Sequence, residues 1–259
     1  MRLRRDIARA LDLKPRHAGR VLASAFRDND RAVLEILAQA DPRCDIEALL
    51  ADIDIAPADR LRALGDNDQG AILLGMHMGN GVAMAGKLAG LTGRRVHVVF
   101  RDPRRLQPGL LARGIERVGA TPLALDRANP TRSMRRMLRV LQRGELLYVL
   151  MDQANKREGE PRLFLGKRMN MPSGVPALAR RIGCPVIPIH AERADHGWGF
   201  RVYPELRADS DGALLDAICT SMEHQVRTHP ELWAWHHRRW KRYHFESEPE
   251  VPENTRPCR

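Results

Sequence analysis

His77 stands where an apolar run ends and a glycine- and asparagine-rich turn begins, within GMHMGNGVAMAGKLAGL at 75–91. The run reads as a strand and the small apolar residues after the turn as a helix, so the imidazole has the backbone N–H groups of a helix start beside it. Such a neighbourhood disfavours imidazolium and leaves donors for a developing negative charge, both of which serve a general base. The bland alternative is a core histidine bonded to a carbonyl. Gly75, Gly79 and Gly81 allow close approach of a backbone or ligand, but their spacing is not that of a dinucleotide fingerprint. Asp152 is the second candidate, because ELLYVLM (145–151) delivers a carboxylate directly after seven apolar-run residues. Burying it unpaired would cost several kcal/mol, so it belongs at the rim of a sheet, pairing with an arginine, capping a turn or taking a catalytic role. Ser173 and Gly174, in MPSGVPALARRIGCP, make a helix start suited to an anion, with Ser173 as N-cap, and equally an ordinary cap.

No side-chain nucleophile stands out. There is no GxSxG elbow, Walker A sequence or HExxH, and Cys44, Cys184, Cys219 and Cys258 are scattered with no CxxC pair, so nothing calls for a metal or a disulfide scaffold. The simplest chemistry for His77 is then direct: it takes a proton from an acceptor hydroxyl or amine, which attacks an activated acyl carbonyl.

The elements that must position these residues follow from the apolar pattern. Residues 1–65 read as helices, from Leu3, Ile7 and Leu11, Leu34 and Leu37, and Ile46, Leu49 and Leu50. From residue 70 short apolar runs alternate with helical stretches: 71–76, 95–100, 121–125, 145–151 and 185–191. That order predicts an α/β fold, a three-layer αβα arrangement with a mostly parallel mixed sheet, and an antiparallel strand within 199–206. Sites belong at the C-terminal ends of such strands. Arg101 and Arg193, which follow 95–100 and 185–191, are expected on the same rim as His77, as ligands of phosphate or as surface ion-pair partners. A last helix is expected over 212–227. The expected division is an α-helical N-terminal lead-in over 1–69 packed on the main domain, an αβα domain over 70–245, and a disordered tail over 246–259.

The chain has 259 residues and a formal net charge of +11. Thirteen arginines and three acids lie between Arg94 and Arg143, a local balance of 13 − 3 = +10. A stretch so basic suits an anionic partner: nucleic acid, an anionic membrane surface or an acidic carrier protein. No nucleic-acid-binding motif accompanies it, and no nucleic-acid partner is expected. The N-terminus lacks the apolar core of a secretory signal, and no apolar run is long enough to span a membrane. WAWHHRRWKRY (233–243) mixes tryptophan and cations in a way that suits a headgroup interface or an aromatic helix packed back on the sheet.

Four segments in order, LLGMHMGNG (73–81), YVLMDQ (148–153), the stretch from Leu163 to Arg193, and HPELWAWHHRRWKRY (229–243), resemble the bacterial lipid A biosynthesis acyltransferases, the late lauroyl/myristoyl family. The resemblance implies a glycerophosphate-acyltransferase-like fold on the cytoplasmic face of the inner membrane. It implies transfer of a fatty acyl group from a thioester of acyl carrier protein or coenzyme A, the co-substrate, to a lipid or small-molecule acceptor, with no cofactor. His77, Gly79 and Asn80 match the family's HxGNWE signature, while Gly81 stands for its Trp and Val82 for its acid. Asp152 is the first candidate to orient His77 instead. The polar, arginine-rich lead-in differs from the transmembrane helix usual in the family, so membrane contact is expected to be peripheral. The first alternative is a non-catalytic relative that binds acyl carrier or lipid, and behind it stands a basic nucleic-acid-binding protein.

Overall fold

The structure, a computed structural model, describes residues 2–102, 106–126, 128–153 and 159–237. The chain begins with helices α1 (Arg2–Ala10), α2 (Pro15–Ala38) and α3 (Ile46–Ala51). A strand follows that the sequence reading did not foresee, β1 (Ile53–Ala56), and then α4 (Ala58–Gly65). Strand β1 is four residues long with Asp54 exposed, an edge strand too short to stand out against flanking helical periodicity.

Each apolar run expected as a strand is one: β2 (Ala71–Gly75), β3 (Val96–Phe100), β4 (Thr121–Ala124), β5 (Leu146–Leu150), β8 (Val186–Glu192) and β9 (Trp198–Val202). Between them lie α5 (Gly81–Thr92), α6 (Leu110–Arg117), α7 (Pro130–Gln142), α8 (Gly174–Ile182) and the last helix, α9 (Asp211–Thr228). An unforeseen antiparallel hairpin of β6 (Glu160–Phe164) and β7 (Lys167–Met171) stands apart from the main sheet. Its charged, half-exposed first strand carries no continuous apolar signal.

The main sheet has seven strands in the order β1-β9-β8-β2-β5-β3-β4. The five from β8 to β4 are mutually parallel, β9 is antiparallel to β8, and β1 lies parallel to β9. Helices α5 and α6 pack together and α7, α8 and α9 form a second group, the pattern of a sheet covered on both faces. Central strands β2 and β5 are accordingly apolar throughout, with Ile72, Leu73, Leu74, Leu146 and Leu147 at 0% exposure.

The register of these two strands decides where the chemistry can be. Gly75 pairs with Leu150, and His77 and Asp152 each follow their strand's last paired residue by two positions. A parallel ladder in that register sets the two side by side at the C-terminal edge of the sheet.

The aromatic stretch near the C-terminus forms neither a headgroup surface nor a helix where it is described. Trp233 and Trp235 are fully buried, and Met78 bridges Trp233 in antiparallel fashion. Residues 238–243 of that stretch, and the tail expected over 246–259, lie outside the described residues.

Candidate active site

His77 Nδ1 lies 2.7 Å from Asp152 Oδ1, and the His77 backbone N–H donates to Asp152 Oδ2 at 3.1 Å. The Trp233 indole N–H donates to the same Oδ2 at 2.8 Å. Asp152 has no exposed surface, whereas the His77 side chain is 28% exposed. A buried carboxylate receiving these bonds is held in one orientation, and it fixes the proton of a neutral His77 on Nδ1. Nε2 then carries the ring's lone pair, the form in which an imidazole can accept a proton. Val82, at the position of the family acid, is a partly buried residue packed against the core. The carboxylate beside His77 therefore comes from the end of β5 and not from the first turn of α5.

The strand-to-helix turn depends on its glycines. Gly79 has φ +62°, and a Cβ there would lie 2.9 Å from Trp198 Cε3 and 3.3 Å from Phe200 Cζ. A Cβ on Gly75 or Gly81 would land on the Tyr148 ring or its hydroxyl. Burial and the nearby Asp152 carboxylate push the Tyr148 phenol up, so it stays protonated. Asn80 is fully buried and caps α5, its side chain accepting from Ala83 N–H at 3.0 Å. Its Nδ2 donates to Glu35 Oε2 at 3.1 Å. That oxygen also accepts from Trp198 Nε1 at 2.7 Å, while Arg31 pairs with Glu35 Oε1 at 2.7 Å.

Asn80 and the glycine turn are thus brought to His77, and the remaining expectations are not. Arg101 is exposed just beyond β3, separated from β2 by β5, with no hydrogen bond to His77 or Asp152. Arg193 leaves β8 beside β2 but lies 3.2 Å from Asp28 and 3.3 Å from Glu231, the surface ion-pair outcome. Ser173 occupies the N-cap position of α8, yet its side chain makes no capping hydrogen bond, so it and Gly174 begin the helix by position only.

Sequence reasoning missed Gln153, Trp233, His237, Glu35 and His190. Gln153 Nε2 lies 2.8 Å from His77 Nε2 and 3.1 Å from His237 Nε2. Adjacency to Asp152 was the available signal for Gln153; Trp233 and His237 were visible only as part of an aromatic, basic stretch. Glu35, on α2, carried none. His190 on β8 is buried and pushed down to about 4, chiefly by burial, with Nε2 3.3 Å from Ser221 Oγ.

Residues 14–242 match the family model of the bacterial lipid A biosynthesis acyltransferases, and the chain belongs to that family. A phosphatidylinositol mannoside acyltransferase of Mycolicibacterium smegmatis is 33% identical over 79 residues, which is 30% of this chain and 26% of that protein's length.

Proposed function

We propose, from the chain's membership of this family, that it transfers a fatty acyl group from a thioester of acyl carrier protein or coenzyme A to a hydroxyl or amine of a lipid or small-molecule acceptor. The observation that carries this reading is the 2.7 Å contact between His77 Nδ1 and the fully buried Asp152. With Nδ1–H held by that carboxylate, His77 Nε2 takes the acceptor's proton as the acceptor atom bonds to the thioester carbonyl carbon. Negative charge developing on the carbonyl oxygen is met by the positive end of α5, whose first turn begins four residues after His77. The tetrahedral intermediate collapses by breaking the carbon–sulfur bond, and His77 returns its proton to the departing thiolate. Asp152 stabilises the imidazolium between the two transfers.

No helix among the described residues is long and apolar enough to cross a membrane. On the proposed reading a lipid acceptor is met by peripheral contact on the cytoplasmic face of the inner membrane.

The test is thiol release from a long-chain acyl carrier protein thioester by the purified chain, wild type beside His77→Ala. Acceptors are a lipid A precursor, a lysophospholipid and an alkyl amine. Acceptor-dependent release that the substitution abolishes is the expected result. Carrier binding without release to any acceptor would identify a non-catalytic relative, the reading that Val82 alone favours.

A further inference from the structure

The lone pair of a general base must face the atom it deprotonates, and here it faces Gln153. The carboxamide nitrogen lies 2.8 Å from His77 Nε2 and 3.1 Å from His237 Nε2. An amide nitrogen donates and does not accept, so its two N–H groups are directed at two ring nitrogens that both accept. The rings stand with centroids 5.4 Å apart and planes inclined at 51°. His237 is brought there by the segment that follows α9. Within it Ala234 N–H donates to the His77 carbonyl at 3.1 Å, His237 N–H donates to the Ala234 carbonyl at 3.2 Å, and the buried Trp233 bonds to Asp152.

We propose that the Gln153 carboxamide nitrogen occupies the seat of the acceptor's nucleophilic atom until the acceptor arrives, and that His237 is the second residue contacting that atom. This rests on the acyl-transfer reading above and adds to it two residues and a purpose. A hydroxyl or amine that His77 is to deprotonate must lie within hydrogen-bond reach of Nε2, and Gln153 Nε2 marks a point in that reach. The acceptor displaces the amide; an amine donates one N–H to each ring, whereas a hydroxyl donates to His77 and accepts from His237 in the tautomer that carries its proton on Nε2, and either pair of bonds fixes the direction of approach to the thioester. Until then the amide excludes water from the same point. A water there would be deprotonated by His77 and attack the carbonyl carbon, expelling the thiol and wasting the donor as free fatty acid. Gln153 thus guards a bound thioester against hydrolysis, and His237 positions the acceptor.

The experiment uses the full chain and a long-chain acyl carrier protein thioester, measuring thiol release with and without acceptor. Gln153→Ala should raise acceptor-independent hydrolysis by about tenfold, the size expected when one competing hydrogen-bonded occupant is removed. Adding His77→Ala should abolish the gain. His237→Ala should raise the acceptor KM by about tenfold while kcat stays within a few-fold, and His237→Gln should recover part of the loss. Should Gln153→Ala fail to fold, as judged by its thermal melt, Gln153→Asn takes its place, one methylene short of spanning both rings. An active wild type whose Gln153 variant hydrolyses no faster overturns the guard, and an unchanged acceptor KM in His237→Ala removes His237 from the seat. A wild type inert towards every acceptor overturns the acyl-transfer reading, and this inference with it.

Discussion

A carboxylate without exposed surface that accepts from His77 and Trp233 is sensitive to the loss of one lone pair. Asp152→Asn puts an NH2 where an acceptor is needed, so either Trp233 loses its partner or His77 turns to the wrong tautomer. We expect kcat to fall about 10²–10⁴-fold with KM values within a few-fold, since Asp152 has no exposed surface with which to touch a substrate. Single-turnover kinetics would decide it, and a small effect would mean that His77 needs no orienting acid. Asp152 was legible because a charged residue after an apolar strand demands an explanation. His190 was not, because nothing in PVIPIHAER distinguishes a histidine facing α9 from one facing solvent. Its consequence is acid sensitivity. In the folded chain burial holds His190 neutral down to about 4, while in the unfolded chain it takes a proton near 6.5. Above 6.5 it contributes nothing; as pH falls from 6.5 to about 4 the unfolded state binds the extra proton, and about 3 kcal/mol of stability is lost. Denaturant melts across that window should show a shallower acid limb for His190→Gln than for wild type, and equal slopes would clear His190 of the effect.

At the scale of elements, the site is a consequence of strand register, and register was only half legible. The apolar runs at 71–76 and 145–151 announced β2 and β5, but their adjacency, with β5 inserted between β2 and β3, depends on contacts distant in sequence. Edge strand β1 and hairpin β6–β7 escaped because short, half-exposed strands lack a continuous apolar run. The hairpin nevertheless reaches the lead-in through Lys167, almost fully buried, whose Nζ lies 3.4 Å from Asp6 Oδ2 on α1. The junction of β2 and α5 is tight against β5, which gives a test of packing. A Cβ at Gly81 meets chiefly the Tyr148 hydroxyl, its next contact being Cζ at 3.1 Å, whereas one at Gly75 also meets the ring carbons Cε2 and Cζ. Gly81→Ala should therefore cost about 1–3 kcal/mol, with more than half recovered in a Tyr148→Phe background. Gly75→Ala should show no such rescue. Equal recovery at both positions in urea melts would mean that the turn moves as a unit, away from the phenol.

For the molecule as a whole, the basic stretch between Arg94 and Arg143 offers fewer unengaged guanidinium groups than its count of arginines suggests. Arg94 donates to the carbonyls of Leu64, Gln69 and Gly144, Arg117 to those of Pro42 and Cys44, and Arg143 pairs with Glu145 at 2.8 Å. These arginines tie helices and strand ends together. Among the described residues Arg101 and Arg113 are exposed singly, and α7 carries a row of exposed arginines on one face, Arg132, Arg135, Arg136 and Arg139, of which Arg136 also donates to the Ala124 carbonyl at 3.1 Å. Charges on one helical face add their fields over a Debye length of about 8 Å at physiological salt, and so steer an anionic partner before contact. If the donor is carried on an acidic protein, Arg135→Glu together with Arg139→Glu should raise KM for the carrier-borne thioester by about tenfold at low salt. KM for a short, uncharged thioester should not change, because it has no acidic surface to be steered. Rising salt should weaken wild type towards the variant until the two coincide, since screening removes the same interaction that the reversals remove. A gap that persists at high salt would locate the effect in direct contact or in the packing of α7 against β5, and equal KM values at low salt would leave the carrier to dock on another face.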